Sequence, residues 1–219
     1  MTWIKICGTT NLEDALTAVD AGADALGFVF YEKSPRKIAV EAAGKIAAKV
    51  APGTEKVGVF VEEPLEKILL TVAQAGLTAA QLHGDQYLEP GFLQQLKNIR
   101  DLKVFLVVPV EKISNPDWLK TSGLGVSAVF VDSGTPQLPG GTGRVFDWSA
   151  AAPAIEAISK NANVVVAGGL TPANVAEAIH ILKPWGVDVA SGVEARPGKK
   201  DPERVRAFIQ AVRKADEKN

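Results

Sequence analysis

Eight short, largely apolar runs recur along the chain, and their spacing limits what it can fold into. They span residues 3–6, 25–30, 56–60, 79–82, 103–108, 128–131, 163–167 and 187–189. They are apolar throughout rather than alternating, as parallel strands are when both faces are covered. Helical patterns lie between them. Residues 12–21 follow Asn11 as an N-cap, 40–50 carry small apolar residues at helical spacing, and 64–75 begin with Pro64 in the first turn. Thr171 and Pro172 read as a cap followed by proline at the first helical position. Gly22, Gly76, Gly125 and Gly186 each precede a strand closely, which suits a left-handed residue closing a helix. Helix-to-strand turns are thus short and alike, while strand-to-helix loops vary, as a barrel requires. The alternative, an open doubly wound sheet, usually carries G-x-G-x-x-G after its first strand; "KICGTTN" has one glycine. The chain therefore reads as a single-domain (β/α)8 TIM barrel over residues 1–219. Its fifth helix is expected to be short or missing, because Pro109 and Pro116 interrupt residues 109–125. A polar end is expected after Val212.

The 219 residues, 47% of them hydrophobic, suffice for one sizeable core. A net charge of −1 with no basic stripe argues against nucleic-acid binding. One cysteine excludes an intramolecular disulfide and a multi-cysteine zinc site, and His83 and His180 lack paired ligand spacing. No apolar run approaches the roughly 20 residues that span a bilayer, and no basic stretch precedes an apolar one at the start. A cytoplasmic, metal-free and cofactor-free protein with no membrane partner is expected.

In a barrel, strand C-termini converge on one mouth. Two groups there titrate usefully: Cys7 after the first strand and Asp132 after the sixth. Across a bound substrate they would make a base and an acid. Cys7 reads equally as an inert buried thiol, although the polar "TTN" opening a helix beside it favours a lowered pKa. Asp132 reads also as a turn cap, but a glycine- and proline-rich loop from Ser133 to Phe146 follows it, and long loops of this kind are binding loops, lids or mobile. Gly168 and Gly169 end the seventh strand, and Ser191 and Gly192 end the eighth. Backbone N–H groups at these two places build the usual phosphate site of such barrels. Arg36, in "SPRK", is suited to a bidentate grip on a carboxylate. His83 is either a satisfied mouth histidine or a substrate contact.

Taken in order, "KICGTT", "LGFVFYEKSPRKI", "VGVF", "QLHGDQ", "FVDSG…GGTGRVFDW", "VAGGLTPANV" and "DVASGVE" resemble the phosphoribosylanthranilate isomerases of tryptophan biosynthesis, from about residue 3 to residue 203. The resemblance implies a cofactor-independent Amadori rearrangement of a phosphosugar–anthranilate substrate. It implies Cys7 as the base at C2′, Asp132 as the acid at the ring oxygen and Arg36 on the anthranilate carboxylate. It further implies phosphate held by backbone around Gly169 and Ser191–Val193, including Val193. Ala190 stands where the family commonly has serine, a small change if backbone holds the phosphate. The acid would need a pKa raised from about 3.9 by an apolar mouth of Phe30, Phe60 and Val108; the thiol would need one lowered from about 8.5. Three other readings compete. One is a histidine-pathway phosphosugar isomerase, which would carry aspartate in place of Cys7. Another is a Schiff-base barrel using Lys5, placed i, i+2 from Cys7. The third is a binding-only barrel, which would lack the acid and base. Monomer and homodimer both remain open.

Overall fold

In the computed structural model every apolar run is a strand, with each boundary within one residue of its expected place. The strands are β1(Trp3–Cys7), β2(Ala25–Val29), β3(Glu55–Val61), β4(Ala79–His83), β5(Lys103–Pro109), β6(Ala128–Asp132), β7(Val164–Val166) and β8(Gly186–Val189). They are all parallel, run in chain order, and close when β8 pairs with β1 through Lys5–Asp188 and Ile6–Val189. That last pairing decides for the barrel over the open sheet. The structure describes residues 1–88, 91, 92, 95, 102–114, 126–133 and 145–217.

Six α-helices are found among the described residues: α1(Leu12–Asp20), α2(Val40–Ala47), α3(Leu65–Ala75), α4(Trp148–Ser159), α5(Val175–Leu182) and α6(Pro202–Asp216). Asn11 caps α1 as expected, its Oδ1 accepting from the Asp14 N–H at 3.0 Å. Asp201 caps α6 through the Glu203 and Arg204 N–H groups. That helix buries Val205, Phe208, Ile209, Val212 and Ala215; beyond Val212 the described residues are polar apart from Ala215, and the helix runs on through them to Asp216. Pro64 sits at the N-cap of α3 rather than inside its first turn. Helix α5 starts at Val175, after a turn, and not at Pro172. After β5 the chain makes a single 3-10 turn, Val110–Lys112. The remainder of the expected fifth-helix interruption, residues 115–125 with Pro116 and Gly125, lies outside the described residues, as does 134–144 of the long loop.

Gly22 and Gly76 adopt the left-handed backbone expected of them, at φ 102° and 61°. Gly186 does not. It opens β8 beneath Trp3, where an added Cβ would lie 3.0 Å from the indole ring and 3.0 Å from the Trp3 carbonyl oxygen. The left-handed residue closing α5 is Lys183, at φ 45°. Gly186 is thus required for its size.

Alternation along each strand divides two cores. Ile4, Ile6, Leu26, Phe28, Phe30, Phe60 and Val108 face outward into the layer beneath the helices. Inside the barrel, Ala25, Val57, Phe105 and Phe130 fill the lower part, with Trp3 edge-on to both phenylalanines. Above them Cys7, Val29 and Val59 make a small apolar cluster with Tyr31 and Ala190. The mouth is therefore lined by Val29, Val59 and Val61, and the expectation that Phe30, Phe60 and Val108 line it is wrong. Phe30 and Phe60 instead stack on each other outside the barrel, with ring centroids 5.4 Å apart. No helix among the described residues is long and apolar enough to cross a membrane.

Candidate active site

A cavity of about 300 Å3 opens at the C-terminal ends of the strands. Cys7 and Asp132, both buried, line it together with Arg36 and His83. The end of β7 contributes Gly168 and Gly169, and the end of β8 contributes Ala190 and Ser191. Residues scattered over almost the whole sequence thus meet because each ends, or follows, a barrel strand.

Cys7 is held from several sides. Its register partner on β2 is Gly27, where a Cβ would approach the thiol sulfur to 2.8 Å. Lys5 lies on the same inward face, wholly buried, with Nζ 2.9 Å from Asp188 Oδ1. The buried Lys200 donates to the Cys7 carbonyl at 2.5 Å, to the Ala190 carbonyl at 3.2 Å and to Glu194 Oε1 at 3.1 Å. Burial pushes the thiol above its ordinary pKa, while the Lys5 ammonium pulls the other way. The lowered value expected from nearby helix amides is not what the free site shows. The reason is local: burial of the thiol outweighs the pull of the Lys5 ammonium.

Burial, helped by the charge of Lys5, pushes His83 down to about 3. The imidazole is therefore neutral at neutral pH. The Gln81 side-chain amide lies 3.0 Å from its Nε2; donating there, it leaves the ring proton on Nδ1.

Arg36 lies across Gly8, where a Cβ would come within 2.6 Å of its Cδ and where φ is +76°. Its guanidinium is engaged side-on: Nε and Nη2 donate to the two oxygens of Glu194 at 2.9 and 2.8 Å. The fork expected to await a carboxylate is thus partly used inside the protein. Its end-on edge, Nη1 with the second Nη2 proton, is the part left for a ligand. Burial raises the Glu194 carboxyl, but Arg36 and Lys200 outweigh it and hold it below the ordinary carboxylate range. Sequence alone hid Glu194 and Lys200 as supports, because Glu194 lies 158 residues from Arg36.

The two glycine-bearing loops abut. Gly168 and Gly169 are both left-handed, at φ 86° and 67°. A Cβ on Gly168 would strike Ser133 Oγ at 2.1 Å. Asn174 clasps the loop after β7, accepting from the Thr171 N–H at 2.7 Å and donating to the Gly169 carbonyl at 3.0 Å. Ser191–Val193 forms a 3-10 turn. Within it Gly192 packs on the loop after β7 and the Val193 side chain enters the core, so neither presents a side chain to the cavity. A Cβ on Gly192 would fall 1.9 Å from the Leu170 carbonyl oxygen, a backbone atom that cannot step aside. Gly192→Ala is therefore expected to destabilise the fold by about 1–3 kcal/mol, as overpacking does, read from thermal or denaturant melts.

The model of the N-(5′-phosphoribosyl)anthranilate (PRA) isomerase family matches residues 4–211. The N-(5′-phosphoribosyl)anthranilate isomerase of Pelobacter propionicus is 46% identical over 212 residues, covering 96% of this chain and 95% of its own. The crystal structure of the Thermotoga maritima phosphoribosyl anthranilate isomerase superposes with a TM-score of 0.86 at 39% identity, covering 98% of this chain and 100% of that one. A phosphoribosyl anthranilate isomerase in complex with reduced 1-(o-carboxyphenylamino)-1-deoxyribulose 5-phosphate gives 0.83 at 37% identity, with coverage of 98% and 100%. A shared fold, matched over nearly the full length at such identities, establishes that the chain belongs to the N-(5′-phosphoribosyl)anthranilate isomerase family.

Proposed function

We propose that the cavity carries out the family's isomerisation, converting N-(5′-phosphoribosyl)anthranilate to 1-(2-carboxyphenylamino)-1-deoxyribulose 5-phosphate, with Asp132 as general acid and Cys7 as general base. The observation that carries this reading is that one cavity takes in both groups, the only cysteine of the chain among them. Asp132 gives its proton to the ribose ring oxygen, and the C1′–O bond breaks as the anilino nitrogen lone pair forms a C1′=N iminium. The Cys7 thiolate then takes the C2′ proton. The freed electron pair closes C1′=C2′, and the iminium nitrogen recovers its lone pair. Loss of the enol proton from oxygen and gain of one at C1′ yields the 2′-ketone. Each step moves only a proton and adjacent electron pairs, so the reaction needs no redox partner.

The remaining residues serve to bind. Phosphate is read by the backbone of the Gly168–Gly169 and Ser191–Val193 turns, whose N–H groups suit an anion. Gly192 and Val193 would contribute only main chain, and Ala190 accordingly costs little. The end-on edge of Arg36 takes the anthranilate carboxylate. Arg36→Met should raise KM by about 10–100-fold, the equivalent of about 1.5–3 kcal/mol for a hydrogen bond to a charged group, with kcat little changed. An unaltered KM removes Arg36 from substrate binding. Neutral His83 can offer only an uncharged N–H, which suits a substrate oxygen.

The Schiff-base reading is disfavoured, since Lys5 is sealed from the cavity and ion-paired with Asp188, and its pKa is raised rather than lowered. The direct test follows the loss of substrate fluorescence on adding purified protein in excess chelator. Turnover supports the assignment and its independence of metal; folded protein without turnover overturns it.

A further inference from the structure

Lys5 is an unusual occupant of a barrel interior. Apart from Asp188, its partner on β8, its surroundings are apolar, with Ala25 beside it on β2 and Val57, Ala79 and Phe130 in the same inner cluster. Burying an ammonium costs several kcal/mol unless it is paired, and methionine would fill this volume without that cost. The charge is nonetheless kept. Asp188 holds Nζ at 2.9 Å, and the Phe130 ring centroid lies 5.4 Å away. Burial works against the ammonium, but Asp188 and Cys7 outweigh it, and its pKa stands above the ordinary lysine value. The side chain also reaches the thiol. A Cβ on Gly27 would lie 3.0 Å from Lys5 Cε and 2.8 Å from Cys7 Sγ, so both crowd one spot.

We infer that Lys5 is a positioning residue for the proposed base: its ammonium, anchored by Asp188, is the counter-ion that stabilises Cys7 as a thiolate. The other charged or titratable groups around Cys7 are placed for different work. Lys200 bonds the Cys7 carbonyl but is matched by Glu194, which Arg36 also holds. Asp188 pushes the thiol the wrong way, yet less strongly than Lys5 pulls it. His83 is neutral, and Asp132 lines the same cavity as the partner acid.

The inference rests on the reading of Cys7 as the base, but its test does not require turnover. Cys7 is the only cysteine, so the pH dependence of iodoacetamide alkylation reports its titration alone. Lys5→Met leaves Asp188 buried and unpaired, so the informative variant is Lys5→Met with Asp188→Asn, which removes both charges together. An opposite charge within about 4–6 Å typically alters the thiolate fraction by roughly 10–1000-fold; because the double variant also removes the weaker opposing charge of Asp188, alkylation at neutral pH should fall by less, about three- to tenfold. The acid limb of kcat/KM should move to higher pH with it, and Lys5→Arg should retain both parent profiles. An alkylation midpoint unchanged in the folded double variant overturns the proposal, as does a Lys5→Arg profile that matches the double variant. If instead Cys7→Ala stays active while the alkylation midpoint shifts, the assignment of the base fails and the electrostatic role of Lys5 stands.

Discussion

Replacing Asp132 by asparagine should lower kcat by about 10²–10⁴-fold, the range general acid–base groups supply, while KM stays close to the parent value. Asparagine keeps the shape and polarity of the side chain but carries no proton that it can release to a departing ring oxygen. Asp132 ends β6, whose other residues are wholly buried, and it is itself buried at the cavity wall. The strand therefore holds the substituted amide where the carboxyl was, and the fold should melt as the parent does. Steady-state fluorescence with unchanged thermal melting separates this from simple unfolding. A kcat within about tenfold of the parent would take the acid role from Asp132.

Cys7→Ala should show a loss of the same order, about 10²–10⁴-fold in kcat, because no neighbour can replace the thiolate. Its pH behaviour gives a second reading. Burial raises the thiol pKa in the free protein, so the reactive thiolate is gained as pH rises and lost as pH falls. The acid limb of kcat/KM should then follow the thiol. His83, at about 3, titrates far below that limb. Residual activity in Cys7→Ala should lose the limb altogether. Iodoacetamide should inactivate the parent at a single site, and bound product should protect it. Full activity after stoichiometric alkylation would exclude a thiol base.

Much of the barrel could be read from sequence because its strands are apolar on both faces and separated by helical patterns. The same uniformity hid which residues face inward. A run such as Ala25–Val29 has no polar alternate to mark its phase, so nothing local tells that Val29 and Val59, rather than Phe30 and Phe60, occupy the mouth. Register supplies the missing phase: Cys7 pairs with Gly27, which sets Val29 inward two residues later. The proposed acid and base are easier to find, since Cys7 and Asp132 are titratable residues at the ends of apolar runs. The support around them is not. Arg36 with Glu194, and Lys200 with the Cys7 carbonyl, join residues 158 and 193 apart, and no local pattern couples such distances. Gly186 is the converse case, for a glycine next to a strand has the look of a turn residue but makes room for Trp3.

The mooring of β1 by Lys200 has a consequence for how the protein is made. Domains fold as units during synthesis, N-terminal parts emerging first. Here β1 waits for the eighth strand to seal its edge, and its last carbonyl waits for an ammonium 193 residues behind it. A nascent chain ending before Lys200 already holds the thiol and the carboxyl, yet lacks the clamp that sets the thiol's strand against the loop after β8. A chain that stops before Lys200 should therefore be inert although it carries both groups.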